Sequence, residues 1–134
     1  MSRIPLPPFP NGWFAVGHSD SLAPGQARAA HYLGRDLVLW RSEDRAVHVA
    51  DAYCPHLGAH LGKGGKVEGN TIRCPFHGWR FGGEDGRCVE IPYAKRIPPQ
   101  AQLSTFPALE CNGMILFWHH LDGKAPDWKP EVVP

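Results

Sequence analysis

The chain has 134 residues and a formal charge of +1, and 43% of it is hydrophobic, which suits one domain with a modest core of its own. That near-neutral charge supplies neither the basic field that nucleic acid selects nor an acidic tail. No apolar run nears the roughly 18 residues that span a bilayer, and the opening MSRIPLPPFPNGW lacks the apolar stretch and cleavage site of a signal peptide, so neither a nucleic-acid nor a membrane partner is expected, and a reducing, cytoplasmic setting is.

The first ten residues hold four prolines and read as an extended arm over residues 1–10. Runs of β type follow at residues 13–16, 28–32, 36–41 and 47–52, then at 71–73, 103–110 and 114–119. Two of them, DLVLW and MILFW, have the branched and aromatic content of buried strands. Gly, Asp, Asn and Pro fill the turns between, with 15 Gly and 14 Pro in the chain, and no run has a helical period. Many short strands with frequent turns predict an all-β sandwich or small barrel. Residues 51–92 stand apart as a Gly-rich insert between two parts of that scaffold. After Leu121, the polar, proline-bearing stretch 122–134 reads as a linker toward a further domain.

The insert carries the chemistry. CPHLGAHL begins at Cys54 and CPFHGW at Cys74, which places Cys54-x-His56 on one loop and Cys74-x-x-His77 on another. Thiolates with imidazoles suit zinc or an iron–sulfur cluster, whereas harder ions take carboxylates and carbonyls. With no export signal, cysteines beside histidines point to metal rather than to disulfides. Structural zinc sites usually separate paired ligands by about two to four residues and group cysteines apart from histidines. Here a single residue separates Cys54 from His56, and each loop mixes the two types. Spacing alone leaves zinc and iron–sulfur both open.

The flanks CPHLG and CPFHGW, taken with the ligand spacing, resemble the signature of Rieske proteins, whose [2Fe–2S] centre has two histidines in place of two cysteines on one iron. The resemblance implies that Cys54 and Cys74 hold one iron while His56 and His77 hold the other. Pro55 and Pro75 would stiffen the loops, and Gly58 and Gly78 would take left-handed conformations. High-potential members of respiratory complexes carry two further cysteines, forming a disulfide, where this chain has Ala59 and Phe76. They also carry hydroxyl donors where it has Trp79 and Phe81. A potential near the low end of the Rieske range is therefore expected.

The longer stretches NGWFAVG, DAYCPHLGAHL and CPFHGWRFGGEDGRCVEIPYAKRIP are similar to oxygenase-type Rieske domains, those of steroid and sterol oxygenases above all, over roughly residues 10–130. This implies a single Rieske domain over residues 1–134: an antiparallel β-sandwich base with a small cluster-binding subdomain at 51–92. It also implies one-electron transfer as the electron-accepting domain of a non-haem iron oxygenase. A ferredoxin or flavin reductase would be the donor and an oxygenase catalytic domain the acceptor, with a steroid-like or other hydrophobic substrate. Such oxygenases hold a mononuclear iron on two histidines and a carboxylate. No such set follows Leu121, so no catalytic residue is expected in this chain. The rival readings are a free-standing Rieske ferredoxin and a structural zinc module.

Outside the motif, His60, His119 and His120 read as solvated. Cys88 and Cys111 read as small buried apolar residues, and Trp79 as packing beneath the second loop. GKGGKVEG at Gly62 lacks the Gly-Lys-Ser/Thr ending of a phosphate loop and reads as a turn. Lys95 and Arg96 read as a solvated basic turn.

Overall fold

A computed structural model of the chain describes residues 11–55, 58–75, 78–83, 85–92, 96–98 and 101–131. In chain order these residues form β1 (Gly12–His18), a 3-10 turn (Ser19–Ser21), β2 (Ala27–Tyr32), β3 (Arg35–Arg41) and β4 (Val47–Asp51). The insert follows with β5 (Lys66–Glu68), β6 (Thr71–Arg73), β7 (Arg80–Gly82) and β8 (Cys88–Glu90). The chain then returns through β9 (Thr105–Phe106), β10 (Ala108–Cys111) and β11 (Met114–His119). All pairings between these strands are antiparallel, in three sheets ordered β1-β11-β10, β2-β3-β4-β9 and β5-β6-β7-β8. The all-β expectation holds.

The apolar run of β3 explains how the insert is seated. Side chains alternate across a strand. Leu37 and Leu39 face one way, into a core with Val16, Leu22, Val49, Ile115 and Phe117, which closes the first two sheets on each other. Val38 and Trp40 face the other way, into a second core with Ile72, Phe81, Leu61 and both Cys54 and Cys74. A strand covered on both faces reads as continuous hydrophobics rather than as alternation, and LVLW does. One rigid strand thus serves both the sandwich base and the insert.

Two strand expectations change. The run 103–110 is two strands in different sheets, β9 beside β4 and β10 beside β11. Pro107 separates them, because it has no N–H to continue a ladder, while its carbonyl accepts the Trp118 N–H at 2.9 Å. Strands β5, β7 and β8 were not foreseen. Each spans 3 residues, too few for a period to show.

The arm at residues 1–10 lies outside the described residues. The stretch after Leu121, described to Glu131, lies along β1 and β11. The Trp13 indole N–H donates to the Trp128 carbonyl at 2.8 Å, the Trp118 indole N–H donates to the Lys124 carbonyl at 2.8 Å, and the Trp118 and Trp128 rings meet edge-on at 6.1 Å.

Candidate metal centre

Cys54 and Cys74 occupy equivalent places on two loops of the same design. Each loop is closed by an antiparallel pair: Tyr53 with His60 around the first, Arg73 with Arg80 around the second. In the first, the Cys54 N–H donates to the Ala59 carbonyl at 2.8 Å and the Gly58 N–H donates to the Cys54 carbonyl at 2.9 Å. In the second, the Cys74 N–H donates to the Trp79 carbonyl at 2.7 Å and the Gly78 N–H donates to the Cys74 carbonyl at 3.2 Å. Gly58 and Gly78 have φ of 76° and 74°, the left-handed region that glycine enters without a Cβ penalty. The prolines are exposed in both loops, and the residue just before each closing partner, Ala59 or Trp79, is buried.

This repeat buries two thiols at 2% and 4% exposure in one hydrophobic core, and neither forms a disulfide. Buried soft donors on stiff, matched loops can hold a soft metal centre. His56 and His77, the other two expected donors, lie outside the described residues. So do Phe76 and Lys95.

The closing pairs differ, and that difference was not foreseen from the sequence. Tyr53 donates its hydroxyl to Asp36 at 2.5 Å, at the start of β3. Arg73 instead bonds Glu68 through Nε and Nη2, Glu90 through Nη2 at 3.0 Å and the Gly78 carbonyl through Nη1 at 2.7 Å. The Arg73 bonds pull the Glu68 carboxyl below the usual carboxylate range, and the two carboxylates raise the Arg73 guanidinium in turn. Arg80 adds a longer contact to Glu90 at 3.8 Å. Nothing in IRCPFHGWRF announces these partners, because Glu68 and Glu90 come from β5 and β8.

Trp79 is buried in the insert core, 6.5 Å from the Phe81 ring, as packing required. Cys88 and Cys111 are buried as expected. Burial pushes the Cys88 thiol up, and its Sγ–H faces the Glu90 carbonyl at 3.6 Å. His60 differs from the solvated histidine expected. It closes the first loop, is half-buried, and accepts the Gly62 N–H on Nδ1 at 3.0 Å. Burial and Lys63 lower its pKa. His119 and His120 are likewise half-buried at the end of β11, and Arg96 is exposed.

The family profile of the Rieske [2Fe–2S] domain matches residues 12–107. The chain is a Rieske [2Fe–2S] domain. Cholesterol 7-desaturase of Xenopus laevis is 51% identical to it over 124 residues, covering 92% of this chain and 27% of its own length. The Caenorhabditis elegans cholesterol 7-desaturase is 50% identical over 132 residues, at 96% and 31% coverage. A Rhodococcus rhodochrous protein named "Probable 3-ketosteroid-9-alpha-monooxygenase, oxygenase component" is 43% identical over 118 residues, at 88% and 29%. The Rieske chain thus spans 27–31% of the length of these relatives. Among solved structures, dicamba monooxygenase bound to dicamba superposes with a TM-score of 0.76 at 27% identity, over 90% of this chain and 36% of that one. The oxygenase–ferredoxin complex of carbazole 1,9a-dioxygenase gives 0.72 at 27% identity, over 82% and 29%. The Rieske fold expected from the two Cys-Pro loops is therefore present, with relatives of the oxygenase type.

Proposed function

We propose that this Rieske domain holds a [2Fe–2S] cluster on Cys54, His56, Cys74 and His77, and serves as the electron-accepting domain of a non-haem iron oxygenase for a steroid-like or other hydrophobic substrate. The matched geometry of the two cysteine loops is the observation that carries this reading. Two buried thiols at equivalent loop positions fit a binuclear centre that takes one ligand of each type from each loop. When bound, the cluster supplies reversible one-electron chemistry at a potential within about −150 to +300 mV. The chain's own residues provide the rest. Cys54 and Cys74 present their sulfurs from the core side. Pro55 and Pro75 stiffen the turns, and Gly58 and Gly78 let each backbone fold back beneath its cysteine.

The names of the sterol and steroid relatives support the substrate class. The ferredoxin complex among the structural neighbours supports a ferredoxin or flavin reductase as electron donor, with an oxygenase catalytic domain as acceptor. The stretch 51–92 acts as the cluster-binding subdomain. Among the described residues no helix is long and apolar enough to cross a membrane.

The test is anaerobic reconstitution with iron and sulfide, followed by metal and acid-labile sulfide analysis and a spectrum of the reduced protein. The reading expects two irons and two sulfides per chain and a visible chromophore that bleaches on reduction. A colourless protein that binds zinc with high affinity refutes it, since Zn²⁺ is d¹⁰.

A further inference from the structure

The two cysteine loops share their backbone design, but among the described residues only the second has its backbone fastened by the side chain of the residue that opens it. Arg73 immediately precedes Cys74 in the sequence and ends β6. Its Nη1 donates to the Gly78 carbonyl at 2.7 Å, so a single guanidinium spans the loop from its first strand to its left-handed glycine. Glu68 takes Nε and Nη2, and Glu90 takes Nη2 at 3.0 Å. The fork geometry of arginine allows all of these bonds at once. In the first loop the equivalent place belongs to Tyr53, whose hydroxyl points to Asp36 instead. The ion network Glu68–Arg73–Glu90–Arg80 balances two acids against two bases. Arg73 is its centre, with only 25% of its side chain exposed.

We propose that Arg73 is a positioning residue for the metal centre: clamped by Glu68 and Glu90, it fixes the Gly78 carbonyl and so sets the shape of the loop that presents Cys74. This inference rests on the cluster reading above. A loop that must surrender a metal centre has to open locally before the fold unfolds. The Arg73 bond to Gly78 opposes that opening and is charge-assisted, which makes it stronger than a neutral hydrogen bond. The charge has a second consequence. With Arg73 neutralised, one positive charge is lost beside the second loop, which becomes more negative, and Glu68 and Glu90 are left opposed by Arg80 and Lys66. Negative charge nearby disfavours addition of an electron.

The experiment uses the reconstituted chain and two readouts: the rate at which a chelator bleaches the chromophore well below the melting temperature, and the midpoint potential. R73Q is expected to bleach about tenfold faster, the loss of one hydrogen bond to a charged group, and to shift to lower potential. R73K keeps the charge but cannot hold the carbonyl and two carboxylates in one fork. It is expected to bleach faster while keeping the wild-type potential. Should R73Q fail to fold, E68Q loosens the clamp with the guanidinium still present, and is expected to speed bleaching several-fold. E110Q, which weakens an ion pair in the sandwich base, provides the stability control and should alter neither readout.

Bleaching of R73Q within twofold of wild type overturns the role of Arg73. So does an E110Q protein, equally destabilised, that matches R73Q in both bleaching and potential. A wild-type chain that takes up no iron or sulfide overturns the cluster reading itself, whereas an intact wild-type cluster with unaltered Arg73 variants overturns only the positioning.

Discussion

Replacing Gly58 and Gly78 by alanine, one at a time, tests the matched-loop geometry directly. Both glycines are left-handed, at φ 76° and 74°, and an L-residue there costs about 1–2 kcal/mol. The surroundings differ. A methyl group at Gly58 would meet no described neighbour within 4 Å, whereas one at Gly78 would lie 3.3 Å from Pro92 Cγ and 3.4 Å from Arg73 Nη1. That crowding adds about 1 kcal/mol, the low end of overpacking costs. At about 1.4 kcal/mol per tenfold, local opening of the first loop should rise about tenfold in Gly58→Ala. The second loop should open about fifty-fold more often in Gly78→Ala. The assay is the bleaching rate of the chromophore under excess chelator at fixed temperature. Gly58→Asn separates the backbone cause from volume, because asparagine is larger than alanine yet tolerates the left-handed region better. It should bleach more slowly than Gly58→Ala. If Gly58→Asn bleaches faster than Gly58→Ala, or Gly78→Ala no faster than Gly58→Ala, the geometric reasoning fails.

Three other outcomes are expected. Cys54→Ser and Cys74→Ser should each lose iron and acid-labile sulfide together, while Cys88→Ser and Cys111→Ser retain both; metal and sulfide analysis of the four proteins decides it. Glu110→Gln should lower the melting temperature at fixed scan rate by about 8 °C, from a loss of about 2 kcal/mol. The figure is taken below the usual range for a buried pair because water reaches part of Glu110, whose side chain is 31% exposed against 9% for Arg41. Arg41 holds the Glu110 carboxyl below its ordinary value, so this contribution is complete above the unfolded pKa of about 4.3 and is lost as pH falls through the depressed folded value. The gap between wild type and Glu110→Gln should therefore be constant above about pH 5 and close in stronger acid, and a gap that persists unchanged there contradicts the assignment. Leu61→Ala should cost about 3 kcal/mol, because Leu61 is fully buried beneath the loops, while Leu121→Ala, at a position 59% exposed, should change the melting temperature by no more than a degree or two; thermal scans compare the two.

Arg41 shows why part of the structure was illegible in the sequence. It was foreseen only as the last residue of a strand. In the fold all five of its N–H donors are used, reaching Leu22 at 2.6 Å, Arg45 at 2.8 Å, Ser19 at 2.9 Å and both Glu110 oxygens at 2.5 and 2.9 Å. Glu110 lies 69 positions away along the chain, beyond any local pattern. The short strands of the insert are illegible for a related reason. KVE, RFG and CVE carry no period and little β propensity, and they are strands because their neighbours pair with them.

By itself the sequence determined the family and the class of fold. Two Cys-Pro loops that each pair a cysteine with a histidine point to the Rieske family, and the branched and aromatic content of DLVLW points to a buried strand, because these depend on side-chain type and local spacing. Only the tertiary structure decided that the loops are equivalent, closed by Tyr53 with His60 and by Arg73 with Arg80. It alone decided that one of them is clamped by carboxylates from β5 and β8. Those arrangements are long-range contacts. Their energies arise when burial removes water from charged and polar groups, and which groups are buried together is settled by the packing of the sheets rather than by neighbours in the chain.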